Sequence, residues 1–352
     1  MKVALVCPYD MARPGGVQDQ VVRLAAWLRA TGRDASIVAP GEYDDPGFIT
    51  VGSATVIPAN GAATPVALSP RVARRVAEAI DEFDVVHIHE PLMPQVSLAA
   101  LRHGRRPLVG TFHADVSPPA DLAYRCGRPI VRRWLRRLSV ITAVSPIAAR
   151  VVEYTRRVRI IPNGIDVGSY VTGDKHPGSV VFLGRNDERK GLPLLLDAWK
   201  EIREAHPEAT LAVVGAEGPS DATRGITFTG RVSEEEKRRY LGSAVVYCAP
   251  NLGGESFGIV VAEAMAAGCA VVASGLPAFV GVAGDAAVYT APGYPHGLAA
   301  AINDLLDHPG RADAMGRAAR RRVRRFDGTE VAAAYLAAYE ESLTTASGTG
   351  SA

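Results

Sequence analysis

Short apolar runs recur along the chain with amphipathic stretches between them. "KVALVCPY", "DASIVAP", "DVVHIHE", "PLVGTFH" and "VITAVSP" fill the first half. Each is close to continuously apolar, which predicts parallel strands covered on both faces. Between them, "VVRLAAWLRATG", with Gly32 placed as a C-cap, and "PRVARRVAEAIDEF" carry helical periodicity. This βαβα alternation predicts a doubly wound α/β domain. Around "IPNGIDVGSYVTGDKHPGS" the periodicity lapses into Pro, Gly and Asp, as in a linker. It restarts with "SVVFLGR", "ATLAVVG", "GITFTG", "AVVYCAP", "CAVVAS" and "AAVYTAP". The pattern therefore predicts two α/β sheets in tandem, with their chemistry at the carboxyl ends of the strands. The tail "TTASGTGSA" is expected to be disordered.

Length and composition agree with this outline. The chain has 352 residues, enough for two domains of about 150 residues each. With 47% hydrophobic and 22% charged residues it falls among ordinary globular proteins. A formal net charge of +2 argues against nucleic acid as a partner and leaves local patches to carry any electrostatic recognition. Cys7, Cys126, Cys248 and Cys269 form no CxxC pair and are expected to be free thiols in a reducing compartment. The N-terminal apolar run ends at Pro8, too short for a signal-peptide core. No run of about 18 uncharged apolar residues occurs, and the expected location is the cytoplasm.

Charged residues gather where strands are expected to end. In "NLGGESFGIVVAEAMAAG" small residues precede a helix, and a helix N-terminus suits a phosphate group. If that helix opens near Ser256, Glu255 and Glu263 lie about 12 Å apart. That is roughly the reach from a sugar to a ribose across a pyrophosphate. The spacing alone is equally consistent with a surface-facing Glu263 and a capping Glu255. In "FLGRNDERKGLPLLLDAW", Arg185 and Lys190 could hold a diphosphate, or belong to a solvated charged loop. Gly15 and Gly16 open a helix after the first strand, again a place for an anion, without the GxGxxG spacing of a dinucleotide site. His113 ends the strand in "VGTFHADVS", either as a polar ligand to substrate or as a packed imidazole. In "GRVSEEEKRRYL", Glu234 could accept from the N–H pair of guanine or simply stand in a helix's acidic first turn. The chain has no DxD, so a divalent metal clamp on a diphosphate is not expected.

The run from Glu255 to Glu263 matches the E-x7-E signature of the retaining GT-B glycosyltransferases of family 4. Similarity to that family extends through "CPYDMARPGGVQ", "DVVHIHEP", "TFHAD", "IPNGIDV", "FLGRNDERKG", "VYCAPNLGGESFGIVVAEAMAAG" and "AVVAS". Within it, the chain resembles the actinobacterial phosphatidylinositol mannosyltransferases. The resemblance implies an α/β fold of GT-B type, two Rossmann-like doubly wound domains facing each other across a cleft. Residues 1–165 would bind the acceptor and 178–325 the nucleotide sugar. A helix at 326–343 would pack back on the first domain, before a disordered tail at 344–352.

The resemblance also implies roles. Gly16 would face the β-phosphate and His113 the sugar, with a part in catalysis. Arg185 and Lys190 would hold the diphosphate. Glu255 would face the hexose, Ser256, Phe257, Gly258 and Ile259 would offer backbone amides, and Glu263 would take the ribose. Val232, Glu234 and Lys237 match the positions that read guanine. The implied donor is GDP-mannose, with no metal or other cofactor in the chemical step. The implied acceptor is an anionic phosphatidylinositol-type lipid, met peripherally at the inner face of the plasma membrane.

Three departures weaken the acceptor half of the resemblance. The loop after "TFHAD" reads "VSPPADLAYRCGRP" instead of carrying lysine and threonine. "RVARRVAEAI" keeps Arg71, Arg74 and Arg75 but gains acids. Gly328 stands where the pattern has tryptophan. Nearby, residues 102–137 hold nine arginines against Asp115 and Asp121, and "RPIVRRWLRRL" predicts a basic amphipathic helix. Such a helix suits anionic lipid or is a solvated face. A family 4 enzyme passing a UDP- or GDP-sugar to a non-lipid acceptor, or a non-catalytic nucleotide-sugar binder, remains an alternative.

Overall fold

The computed structural model describes residues 1–52, 55–59, 62–66, 70–114, 127–154, 157–219, 221 and 225–348. They form two compact units, Met1–Gly164 with the chain from Gly328 onward, and Ile165–Asp327.

The first unit is built on β1 (Lys2–Val6), β2 (Asp34–Ala39), β3 (Phe48–Thr50), β4 (Thr55–Ala59), β5 (Ala62–Val66), β6 (Val85–His89), β7 (Leu108–Phe112), β8 (Val140–Ala143) and β9 (Arg159–Ile160). Seven of these make one parallel sheet in the order β3-β2-β1-β6-β7-β8-β9. β1, β6, β7 and β8 are buried almost throughout, as their apolar runs require. β4 and β5 pair antiparallel as a separate two-stranded sheet. The helices are α1 (Gly16–Ala30), α2 (Pro70–Ile80), α3 (Val96–His103), α4 (Arg128–Leu135) and the short α5 (Pro146–Ala149). α1 stops at Thr31, and Gly32 follows with φ +76°, a left-handed turn that glycine takes without a Cβ penalty.

The second unit repeats the plan. Its strands are β10 (His176–Leu183), β11 (Thr210–Val214), β12 (Ile226–Gly230), β13 (Ala244–Ala249), β14 (Ala270–Ser274) and β15 (Ala287–Thr290). They run parallel in the order β12-β11-β10-β13-β14-β15. This is the doubly wound order, reversing beside the first strand of the unit. Its helices are α6 (Leu192–Ala205), α7 (Glu234–Ser243), α8 (Ile259–Ala266), α9 (Pro277–Ala283), α10 (Pro295–Asp307) and α11 (Pro309–Val323). Trp199, Leu195 and Ile202 of α6 and Leu298 and Ile302 of α10 pack with β10, β11 and β13 in one core.

The last helix, α12 (Gly328–Gly348), belongs to the first unit. Val331, Tyr335 and Tyr339 enter a core with Val3, Leu5, Val21 and Val85. Gly328 opens it for a steric reason: an added Cβ would stand 2.1 Å from Cε2 of Trp27. The indole of α1 fills the space that a side chain at 328 would need, so the glycine there has a local cause.

Two expectations change. The segment expected as a linker does contain the boundary between the units, after Gly164, but both of its sides are packed: Ile161 lies in the first core, and past the boundary Ile165 pairs with Asp327 and Tyr170 is buried. The tail expected to be disordered from residue 344 is helical through Gly348. There the hydroxyls of Thr344 and Thr345 donate to the carbonyls of Glu340 and Glu341, and residues 349–352 lie outside the described residues. Cys7, Cys248 and Cys269 are buried free thiols, and Cys126 lies outside the described residues. Burial pushes the Cys7 thiol up to about 12, so it is inert rather than nucleophilic.

Candidate functional site

In the second unit, the loops that follow β10 and β13 meet. The Leu252 amide donates to the Arg189 carbonyl. Gly191 has φ +71°, and an added Cβ there would lie 2.0 Å from the Pro250 carbonyl oxygen. Only glycine allows this approach. The meeting brings Lys190 Nζ into an ion pair with Glu255 Oε1, and the same oxygen accepts from Asn251 Nδ2 at 2.8 Å. Asn251 is buried. Lys190 and Glu255 are thus joined although 65 positions apart.

Arg185, expected beside Lys190, is exposed, and its guanidinium has no ion pair among the described residues. Arg189 sits closer instead. It pairs with Asp187 at 2.7 Å, which holds its pKa up, and Glu255 reinforces the shift. Neither Asn251 nor Arg189 was singled out from the sequence. Their signal was position alone, at the ends of two strands.

α8 opens at Ile259, after Gly258 with φ +98°. That is three residues later than the sequence reading placed it. A Cβ on Gly258 would meet Phe279 at 2.8 Å, and this left-handed glycine turns the chain into the helix. Ser256 and Phe257 therefore lie in the loop, and the path from Glu255 to Glu263 is irregular backbone up to Gly258 and helix only from Ile259, not helical rise throughout. Phe257 is buried edge-on to Phe326, centroids 5.4 Å apart. Its side chain is structural, which leaves its amide as the group that could meet a ligand.

Glu263 is 2% exposed, so it does not face the surface. Lys237 Nζ lies 3.0 Å from Glu263 Oε1 and 2.8 Å from Glu234 Oε2. Three residues matched to nucleoside recognition thus form one acid–base–acid group. Glu234 is the outer member, with its side chain 59% exposed. It does not cap α7: that role falls to Ser233 and Glu236, which form a reciprocal capping box. Val232 is half-buried just ahead of the cap.

The first unit carries a different constellation at its strand ends. β6 and β7 pair with His89 opposite Thr111, which brings residues 89–90 beside 113–114. Glu90 is buried with φ +49°, and its Oε1 accepts from the amides of His113 at 2.7 Å and Ala114 at 2.9 Å. A left-handed non-glycine residue is strained, and such strain persists only where its surroundings hold it. His113 Nε2 is 2.8 Å from His89 Nδ1, with the rings stacked at 5.0 Å, and Asn163 hydrogen-bonds His113. His113 is thus a packed, fully engaged imidazole.

Behind it, His87 bridges Tyr339 at 2.8 Å and Thr111 at 2.6 Å. Burial pushes His87 down to about 3 and His113 down to about 4, with the Asn163 bond opposing the fall at His113. It pushes His89 well below its ordinary value and Glu90 up to about 7, against the pull of its two amides. Gly16, the first residue of α1, is exposed with open space around its Cα.

Among the described residues no His, Cys, Asp and Glu cluster could hold a metal, and no helix is long and apolar enough to cross a membrane. The basic helix expected after residue 127 is present as α4. Val131 and Leu135 are buried, Arg132, Arg133 and Arg136 are exposed, and Ile130 is 57% exposed. Arg125 and the rest of residues 115–126 lie outside the described residues.

Residues 14–169 match the model of Glycosyltransferase Family 4, and residues 177–308 that of Glycosyl transferases group 1. The phosphatidyl-myo-inositol mannosyltransferase of Mycolicibacterium smegmatis is 39% identical, covering 99% of this chain and 95% of that protein. Its counterpart in Mycobacterium tuberculosis is 38% identical, covering 97% of each. Among solved structures, sucrose-phosphate synthase from Thermosynechococcus elongatus superposes with a TM-score of 0.72 at 21% identity, over 98% of this chain and 99% of that one. Anabaena Alr3699/HepE in complex with UDP and glucose gives 0.72 at 18%, over 97% and 99%. These two likenesses establish the GT-B fold. The chain belongs to glycosyltransferase family 4, and over nearly its whole length it is similar to the actinobacterial phosphatidyl-myo-inositol mannosyltransferases.

Proposed function

We propose that this glycosyltransferase moves mannose from GDP-mannose to a phosphatidyl-myo-inositol acceptor at a membrane surface, with retention at the anomeric carbon. The observation that carries the reading is identity of 38–39% to mannosyltransferases of that name along nearly the full length of both chains. The second unit supports the donor half. Lys237, paired with Glu234 and Glu263, supports the assignment of this group to base and ribose. Lys190 paired with Glu255 supports the assignment of this pair to diphosphate and hexose. Arg185, exposed and without an ion pair among the described residues, is free to turn toward a diphosphate.

In the reaction, the bond from the anomeric carbon to the β-phosphate oxygen breaks, and its electron pair leaves on GDP. The inositol oxygen forms the new bond on the same face, and its proton passes to the departing phosphate. Lys190 and the amides of residues 256–259 stabilise the charge that develops on that phosphate. Fixed cations and amides take the place of a metal, and none is required in this step. In the first unit, Glu90 and His89 hold His113, the residue assigned to the sugar. The exposed arginines of α2 and α4, with Ile130, suit the surface of anionic lipid.

The test is incubation with radiolabelled GDP-mannose and phosphatidylinositol-containing vesicles, with the lipid product resolved by mass spectrometry. A labelled mannosyl lipid is expected, with UDP-sugars failing to compete. Transfer from a UDP-sugar, or to a soluble acceptor only, would overturn the reading in favour of a family 4 enzyme with another substrate pair.

A further inference from the structure

The second unit has a cavity of about 380 Å³ that none of the donor residues line. It sits at the amino ends of the parallel strands. Lys175 precedes β10, Val245 is the second residue of β13, and Gly268 precedes β14. Lys190 and Glu255 instead follow the carboxyl ends of β10 and β13. The cavity therefore lies at the opposite edge of the sheet from the donor residues. Its size falls in the range of small-molecule pockets, about 300–1,000 Å³.

The walls combine apolar surface with uncompensated charge. Leu305 and Leu306 from the end of α10 give the apolar side. Lys175 and Arg320 give the charged side. Half-buried Lys175 donates to the carbonyls of Ala267 at 3.0 Å and Leu241 at 3.3 Å. Arg320 donates to Thr172 Oγ1 and to the Tyr170 carbonyl. These bonds satisfy N–H groups but leave both charges standing, for no carboxylate pairs with either residue among the described residues. Arg317 and Asp313, also on the wall, cancel each other in an ion pair. Burial lowers the pKa of Lys175, its contact with the Cys269 thiol at 3.8 Å opposes that fall, and the charge of Arg320 adds to it. The two cations are thus close enough to feel one another, and a dianion would relieve both.

We infer that this cavity is a second ligand site, for a phosphate-headed amphiphile whose head meets Lys175 and Arg320 and whose short apolar body lies against Leu305 and Leu306. The site also touches the donor elements from behind. Leu241 is in the last turn of α7, which starts at Glu234, and Ala267 closes α8, which carries Glu263. A ligand that draws Lys175 away from those carbonyls acts on the far ends of the two helices that present the Glu234–Lys237–Glu263 group.

The experiment is calorimetry on the whole protein saturated with GDP, with octyl phosphate, octanol and inorganic phosphate as probes. Octyl phosphate is expected to bind saturably, one per chain, at least tenfold more tightly than either other probe. Lys175→Gln and Arg320→Gln are each expected to weaken it severalfold and together at least tenfold, while GDP binding reports that the variants are folded. Should a variant lose GDP binding through misfolding, hydrogen exchange on the wild type decides. Octyl phosphate is then expected to protect residues 241–245 and 305–320. Four outcomes overturn the inference: no saturable binding, inorganic phosphate binding as tightly as octyl phosphate, loss of binding when GDP is present, or protection confined to the loops after β10 and β13.

Discussion

The two units share one sheet order and place opposite kinds of chemistry at the strand ends. In the first unit the polar groups at the ends of β6 and β7 are sealed: His87 and His89 within β6, and Glu90 and His113 just past the strands, are all buried and bonded to neighbours. In the second, Lys190, Glu255, Lys237 and Glu234 are partly exposed and pair through side chains of opposite charge. A sealed network positions groups; a solvated charged one can exchange its internal partners for a charged ligand. One topology thus supports a rigid side and a receptive side, and the difference lies in what fills the loops.

The largest test of that contrast is Glu255→Ala. On the proposed reading it removes the hexose contact and the partner of Lys190, and turnover should fall about 10²- to 10³-fold while GDP still binds in calorimetry. Equal loss of GDP and GDP-mannose binding would falsify the division between hexose and nucleotide.

Acid should separate the units next. The three histidines have folded pKa values below their usual 6.5. As pH falls below 6.5 the unfolded chain takes up protons that the folded unit refuses, so stability is lost. Glu90, raised from 4.5 to about 7, acts the other way, because the folded state is the first to bind its proton. Three groups outweigh one, and the first unit should lose on the order of a few kcal/mol between pH 6.5 and about 4. Hydrogen exchange, corrected for its intrinsic pH dependence, should show β6 and β7 loosening before β10 and β13. Loss of protection in β10 first would break the comparison.

Gly328→Ala probes the packing of the sealed unit. The new Cβ drives into the Trp27 indole, a rigid neighbour, and should cost about 1–3 kcal/mol by denaturant unfolding. An unchanged midpoint would mean that α12 can shift freely.

Glu234→Gln sharpens the receptive side. Guanine offers two adjacent N–H donors to a carboxylate and uracil one, so the variant should narrow a GDP-over-UDP preference several-fold by calorimetry. If Glu234 serves only to hold Lys237, both nucleotides weaken alike. The smallest effect should come from EDTA, which is expected to leave turnover unchanged in the radiolabel assay, since Lys190 and backbone amides are assigned the charge of the leaving phosphate.

How far the sequence could be read varies with distance along the chain. Strands β1, β2, β6 to β8 and β10 to β15 were legible because a strand buried on both faces must be an unbroken apolar run, whereas the three-residue, partly exposed β3 was not. The β4–β5 hairpin was not, since Pro58 and Pro65 lie within it and proline argues against a strand that needs every N–H. Two-residue β9 has no pattern to find. At the site, Glu255 and Lys190 were legible as charges where strands end and Glu263 as a charge inside the following helix, whereas Lys237 came only through the family resemblance. Glu90 was not, because a buried acid and a surface acid look alike in one sequence, and its partners lie 23 and 24 positions away.

The sequence by itself determined the two α/β repeats, the apolar cores and the side-chain types available at the strand ends, because these follow from local periodicity and composition. The tertiary structure alone decided which charges meet. Lys237 reaches Glu263 across 26 positions and Lys190 reaches Glu255 across 65, and both pairings depend on parallel strands delivering separate loops and helix starts to one end of the sheet. It also decided that Gly328 is held by Trp27, a contact between α1 and the final helix. The physical reason is the same in each case. Burial and Coulomb energy depend on distance through space, and the sequence records only distance along the chain.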